Sequence, residues 1–308
     1  MKRAVSISIG SSKRDKAVEI NLLGETVRIE RIGTDGDMEK AARLYRDLDG
    51  KVDAFGVGGA DLGLLIENKW YPLYSVRPMV RFVKKTPLVD GGGLKITLER
   101  KAAQVLETKI SNYLGQKGRR VLITAGVDRW GMSKSFVEAG YECVFGDMMF
   151  TLHLPIALHS ERSIRTLAAI LMPIAGHLPF NWVYPTGEEQ EKRTPKWKKY
   201  FDWATVIAGD CLYIDRYMPD RLEGKVIVTN TTTQEDVARF RQAGVKYLMT
   251  TTPVLDGRSF GTNMMEAAII AASGRTEPVD YAHPDHYLEY LAQLLPKLHF
   301  EPQIQELC

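Results

Sequence analysis

Between residues 119 and 265 short apolar runs alternate with helix-spaced segments, and this restricts the chain more than any other feature. The runs at 121–125, 142–145, 204–208, 225–229 and 247–251 have the length and β-branched content of buried strands. Apolar positions in 152–174 and 235–243 recur at helical spacing. Strand and helix in alternation predict βαβ units around a parallel sheet, hence an α/β fold with a Rossmann-like domain. The interval 180–203 is polar and aromatic and breaks the alternation.

The first 85 residues read differently. Short alternating segments at 5–9, 18–23, 26–32 and 52–57 are separated by turn signals, and one helix is expected over 38–48, closed by Asp49-Gly50. This predicts a smaller α+β domain preceding the Rossmann-like one. With 308 residues, two domains are the natural expectation. The boundaries expected are an N-terminal substrate domain over 1–93, a linking amphipathic helix over 94–118, a nucleotide-binding domain over 119–275 and a helical tail over 276–308.

A dinucleotide fold needs glycines where its first strand ends, because the backbone turns sharply there and offers a helix N-terminus to a pyrophosphate. The chain has Gly126-Val127-Asp128-Arg129-Trp130-Gly131 at that place, with Asp128 where the middle glycine of G-x-G-x-x-G would stand. Asp147 follows the second strand at the spacing of an acid that holds the adenosine ribose. Arg129 is a phosphate ligand in this reading. Asn230, Thr231 and Thr252, at later strand ends, are candidates for the nicotinamide side. The alternative is the same topology without a dinucleotide: Gly126 and Gly131 as turn residues, Asp147 as a cap. At the end of another strand, Gly58, Gly59 and Asp61 could hold a substrate carboxylate or phosphate, or form a tight turn.

The segment Leu88-Val89-Asp90-Gly91, placed before a long helix that enters the dinucleotide unit, resembles the shikimate and quinate 5-dehydrogenase family. The Val-Asp-Gly phrase is also similar to one in the methylenetetrahydrofolate dehydrogenases. The first resemblance implies NAD or NADP as cofactor and a small hydroxy or keto compound as substrate. It implies an aspartate, here Asp90, and an upstream lysine, here Lys84 or Lys85, at the hydroxyl that loses hydride. Lys95, after Gly91-Gly92-Gly93, competes for the lysine role. A lysine beside a carboxylate can relay a proton as hydride leaves. An NAD(P)-dependent oxidoreductase is therefore the favoured activity, and the alternative is a non-catalytic nucleotide- or metabolite-binding regulator on the same fold.

Composition sets the outer limits. A net charge of +3 from 41 basic and 38 acidic residues gives no reason to expect a nucleic-acid partner, and the cluster of Lys192, Arg193 and 196–199 reads as a solvated helix end. There is no apolar run of membrane-spanning length. Three scattered cysteines exclude a disulfide framework or a Cys-x-x-Cys zinc site and suit a reducing, cytoplasmic setting. Cys211, at a strand end, is either an acyl-accepting thiolate or a buried inert thiol. The expected partner is a small-molecule substrate, and a homo-oligomer is compatible with everything above.

Overall fold

The computed structural model describes residues 1–183, 193–255 and 258–308. In chain order the strands are β1 (Lys2–Ser8), β2 (Lys16–Leu22), β3 (Glu25–Gly33), β4 (Ala54–Gly58), β5 (Gly63–Ile66), β6 (Lys69–Pro72), β7 (Leu88–Val89), β8 (Arg120–Ile123), β9 (Glu142–Phe145), β10 (Val206–Gly209), β11 (Val226–Thr229), β12 (Tyr247–Thr250), β13 (Val254–Leu255), β14 (Arg258–Ser259) and β15 (Gln303–Glu306). The helices are α1 (Met38–Leu48), α2 (Arg77–Val80), α3 (Gly92–Thr97), α4 (Ala102–Lys117), α5 (Trp130–Glu138), α6 (Glu161–Ala175), α7 (Phe180–Val183), α8 (Lys198–Trp203), α9 (Cys211–Tyr217), α10 (Gln234–Gln242), α11 (Thr262–Ser273) and α12 (Asp285–Lys297). The result is a mixed α/β protein with parallel sheets. Among the described residues no helix is long and apolar enough to cross a membrane.

The chain forms two compact units, each assembled from three segments. The first comprises Met1–Leu94, Ile170–Gln190 and Gly261–His299; the second comprises Lys95–Ala169, Glu191–Phe260 and Phe300–Cys308. This division departs from the linear boundaries expected from the sequence. Helix α11, expected in the nucleotide domain, packs on β1, β3 and β4 of the first unit. The segment expected as a helical tail contains α12 but ends in β15, which pairs antiparallel with β12 of the second unit. The expected linking helix is α3, a 3₁₀ turn at Glu99–Lys101 and then α4.

In the first unit the strand order is β2-β3-β1-β4-β7. Strands β3, β1, β4 and β7 are parallel, and β2 joins β3 antiparallel at one edge. The sheet is thus α/β in character, where the sequence had suggested α+β. The hairpin of β2 and β3 raised the apparent antiparallel content, while α1 and α11 cover a parallel centre. Asp37 caps α1 by accepting from the Lys40 N–H, and Asp49-Gly50 ends it, with Gly50 at φ 77°. Helix α11 is buried on every side from Met264 to Ala272, which accounts for its lack of amphipathic pattern. The triple glycine lets the chain pass close to α11 and α12: a Cβ on Gly91, at φ +94°, would lie 2.5 Å from Thr262 Oγ1 of α11, and one on Gly93 would lie 2.4 Å from Leu291 Cδ1 of α12.

The second unit has strand order β15-β12-β11-β10-β8-β9, parallel throughout except for β15. Its central strands read as continuous apolar runs because both faces are covered; Val121, Leu122, Ile123, Val226, Ile227 and Val228 are fully buried. Each such side chain contributes about 1.5–3 kcal/mol relative to exposure. From β8 the chain steps outward to β9 and then returns to β10 on the other side, so the direction of strand addition reverses between β8 and β10. Helix α10 starts with a capping box in which Thr233 and Asp236 bond each other's backbone N–H.

One buried acid ties the first unit together. The Glu266 carboxyl of α11 accepts the Leu94 N–H at 3.0 Å and the Tyr287 hydroxyl at 2.6 Å. Burial, with the nearby Asp90 charge, pushes its pKa up to about 8 from 4.5. The folded state therefore holds this proton more tightly than the unfolded chain. The stability it contributes is complete below the unfolded pKa and declines as pH rises through the folded one. Urea unfolding across this range should show stability falling between about pH 5 and 8, and Glu266→Gln should flatten the fall. Equal pH slopes in both proteins would contradict the assignment.

Candidate functional site

Ligands of open parallel sheets sit at the carboxyl edge where the strand order reverses. In the second unit that place is the loop after β8 and the start of α9 after β10. Thr124, Gly126, Asp128 and Arg129 come from the first, Asp210 from the second, and Asn230, Thr251 and Thr252 from the ends of β11 and β12. Lys95 and Glu99 enter from the turn of chain before α4.

Arg129 is the centre of this group. It is 3% exposed, its Nη1 donates to Glu99 Oε1 at 2.5 Å, and its Nη2 donates to Asp210 Oδ2 at 2.6 Å. Its Nε lies 3.3 Å from Asp128 Oδ2 without forming a hydrogen bond. Lys95 donates to the other oxygen of Asp128 at 2.7 Å. Burial would raise the Asp128 pKa, but the charges of Lys95 and Arg129 outweigh it and hold that pKa below the ordinary value. Glu99 goes the other way, since its complete burial outweighs the same two cations. The Thr251 hydroxyl leans on Glu99 Oε1 at 3.4 Å. Asp210 also receives the Asn230 side-chain amide at 2.9 Å and caps α9 through the Leu212 N–H.

Asp147 lies just beyond β9, as its spacing implied, but its carboxylate faces inward. Its two oxygens accept the N–H groups of Gly126 at 3.0 Å and Val127 at 2.8 Å. Burial raises its pKa to about 6 against the pull of those two amides. The backbone donors that a pyrophosphate would use are thus occupied by a carboxylate of the protein itself. Gly131 has a packing role: a Cβ there would fall 2.1 Å from Lys95 O.

Other expected residues have structural partners too. Thr252 is fully buried and donates to Asn230 O at 2.6 Å, while Asn230 Oδ1 accepts the Cys211 N–H. Thr231, half-buried, follows at the same strand end. Cys211 is a buried thiol whose pKa burial pushes up, so it is no thiolate. Lys192 lies outside the described residues. Among the described residues no group of three or more His, Cys, Asp or Glu is placed to hold a metal ion.

The residues expected to be catalytic are divided between the two units. Asp90 belongs to the first unit, is 3% exposed, and accepts the Leu62 and Gly92 N–H groups at 2.7 and 2.9 Å. Lys84 and Lys85 lie on an exposed turn of the same unit, with their backbone N–H groups on the Asp49 carboxylate. Lys95 is in the second unit, on Asp128. Gly58 and Gly59 do end β4, but a Cβ on Gly58 would sit 2.6 Å from Ser8 Cβ, so that glycine serves strand packing. Asp61, half-buried, follows them.

Sequence reasoning missed Glu99 and Tyr213. Glu99 shares a helical face with Ala102, Ala103 and Leu106, all buried, and an acid within that stripe was the available signal. Tyr213 stands in the first turn of α9, three residues after Asp210, and its pKa is pushed up to about 12 by burial and by the charges of Asp128 and Asp210.

Two substitutions test this geometry. Asp147→Asn sets an NH₂ against one of two backbone donors, and should lower the unfolding free energy by about 1–3 kcal/mol in urea titration. A change within about 0.5 kcal/mol would mean that the carboxylate is not bound to the loop. Gly131→Ala should cost about 1–3 kcal/mol through overpacking against Lys95, which thermal unfolding of the two proteins side by side would register.

No curated protein matches the sequence. Among solved structures the chain is similar to an NAD-dependent malic enzyme from Thermotoga maritima, at 12% identity and TM-score 0.39, over 95% of this chain and 77% of that one. It is similar to Entamoeba histolytica malic enzyme at 13% identity and TM-score 0.37, over 87% of this chain and 55% of that one, so it spans about half the length of that enzyme. It is also similar to a glucose-galactose binding protein from Geobacillus stearothermophilus, at 10% identity and TM-score 0.37, over 99% and 97% of the two chains. Likenesses this slight say nothing of what the chain does. Residues 3–90 match a domain of unknown function (DUF8753). Residues 93–307 match a second one, and because that match takes in more than half of the sequence, the chain belongs to the family described as Domain of unknown function (DUF8754).

Proposed function

We propose that this chain is a metabolite-binding protein whose ligand sits at the carboxyl edge of the second sheet, between the ends of β8 and β10. The observation that carries this reading is the pair of hydrogen bonds from Gly126 and Val127 to Asp147. A pyrophosphate at that turn would have to displace a buried carboxylate and then share its space, two negative groups competing for the same donors. Asp128, another carboxylate, stands where the phosphate-facing glycine would be. A dinucleotide held in the usual manner does not fit these residues. A metabolite without phosphate meets the edge as it stands, with Asp128 and Asp210 partly open and Lys95 beside them.

A second reading is favoured by one observation. The order β9-β8-β10-β11-β12 is doubly wound, reversing between β8 and β10, and it carries a glycine turn after β8 and an acid after β9, the two sequence features of a dinucleotide site. On this reading Asp147 leaves the loop amides to hold a ribose, and NAD or NADP serves an oxidoreductase resembling the quinate and shikimate dehydrogenases, in a cytoplasmic setting.

Thermal unfolding with NAD, NADP and a panel of unphosphorylated metabolites separates the two, since a ligand that binds only the folded state raises the melting temperature. The expected outcome is no saturable rise with either dinucleotide and a saturable rise with at least one other compound. Saturable binding of NAD or NADP would replace the first reading with the second.

A further inference from the structure

One nitrogen of Arg129 makes no hydrogen bond within the protein. Its Nε is buried and, although 3.3 Å from Asp128 Oδ2, forms no hydrogen bond; it belongs to the same guanidinium edge as Nη2, which donates to Asp210. That edge faces two carboxylates, Asp128 and Asp210, whose side chains are 28% and 21% exposed. A buried donor left unpaired costs about 1–3 kcal/mol, so a group that fills it gains that much. Thr124 Oγ1, at the end of the neighbouring β8, is likewise buried without a partner.

The chemistry of the missing partner follows from what surrounds the gap. It must accept from Nε and lie beside carboxylates that only accept. A phosphate or carboxylate would satisfy Nε, but it would add negative charge to a cluster in which three carboxyl groups, Glu99, Asp128 and Asp210, already outnumber the two cations, Lys95 and Arg129. An ammonium would suit the carboxylates and has no lone pair to offer Nε. A hydroxyl both accepts and donates, and several hydroxyls are needed to meet two carboxylates, Nε and Lys95 together. Tyr213, in the first turn of α9 three residues after Asp210, brings an aromatic ring to this end of the helix, stacked on Tyr217 at 6.4 Å between centroids.

We propose that the ligand of this edge is an uncharged ring polyol, a cyclitol or a sugar, with one hydroxyl bridging Arg129 Nε and Asp128 or Asp210 and the ring against Tyr213. This rests on the metabolite-binding reading above and names its ligand class.

The test is calorimetric titration and thermal unfolding of the full chain with myo-inositol, D-glucose and D-galactose, set against sodium quinate, inorganic phosphate and NAD. At least one neutral polyol should bind saturably below about 10 mM and raise the melting temperature, with quinate weaker and phosphate inert. Asp128→Asn should weaken that polyol about 10-fold, and Tyr213→Ala should weaken it while leaving the Asp128–Lys95 pair in place, so a misfolded first variant still leaves a test. Tighter binding of quinate, or binding only of other compounds in the wider panel, overturns the neutral-polyol proposal and leaves the metabolite-binding reading standing. Binding of NAD alone overturns both. A polyol whose affinity is indifferent to both substitutions binds elsewhere and also overturns the proposal.

Discussion

The second unit depends on one buried guanidinium. Arg129 follows β8 and pairs with Asp210 at the end of β10, and parallel strands all end, and their loops all begin, at the same edge of the sheet. Without a cation there, Glu99 and Asp210 would be carboxylates at a nearly dry sheet edge, an arrangement that costs several kcal/mol for each uncompensated charge. With it, Glu99 fixes the turn before α4, Asp210 starts α9, and Asn230 joins the end of β11 to that of β10. Burial alone would lower the Arg129 pKa, but the charges of Glu99, Asp128 and Asp210 raise it, so the group stays a cation at any pH at which the protein is folded.

The same arrangement explains why a glycine turn of dinucleotide appearance has become an internal joint. Asp147 supplies from β9 the negative charge that a phosphate would bring, and Gly131 lets α5 approach the 95–96 segment closely. The turn is thereby closed from within, and the openness of the edge moves toward Asp128, Asp210 and Tyr213.

Much of the architecture could be read from the sequence. Buried parallel strands such as Val226-Ile227-Val228 announce themselves by apolar runs, and Gly140, after α5, adopts the left-handed conformation that a helix end favours. Positions of the candidate site residues along the chain were equally legible, since strand ends follow from strands. Their roles were not. Whether Asp147 turns to solvent or to the amides of Gly126 and Val127 is decided by rotamer and packing, and spacing is the same in both cases. Asp90 shows the same limit: its phrase resembles a catalytic one, yet its carboxylate holds the Leu62 and Gly92 amides.

The two family matches meet at residues 90–93, where the first boundary was expected, while the compact units depart from linear boundaries for a different reason. A boundary drawn along the sequence assumes that each sheet is covered by its own neighbours, and here it is not. The match over residues 3–90 ends before α11, which covers β1, β3 and β4 with side chains buried from Met264 to Ala272. The match over 93–307 includes α11 and α12 along with the strands of the other sheet. A chain cut near residue 90 would leave the first sheet with an uncovered apolar face, and the remainder with a helix apolar on all sides and no sheet to bury it. The two units are therefore interleaved along the chain: the first cannot close its core until the chain beyond β12 has been made. Contacts so distant in sequence carry a loop-closure cost that is met only late, which is the physical signature of a slow, cooperative folder.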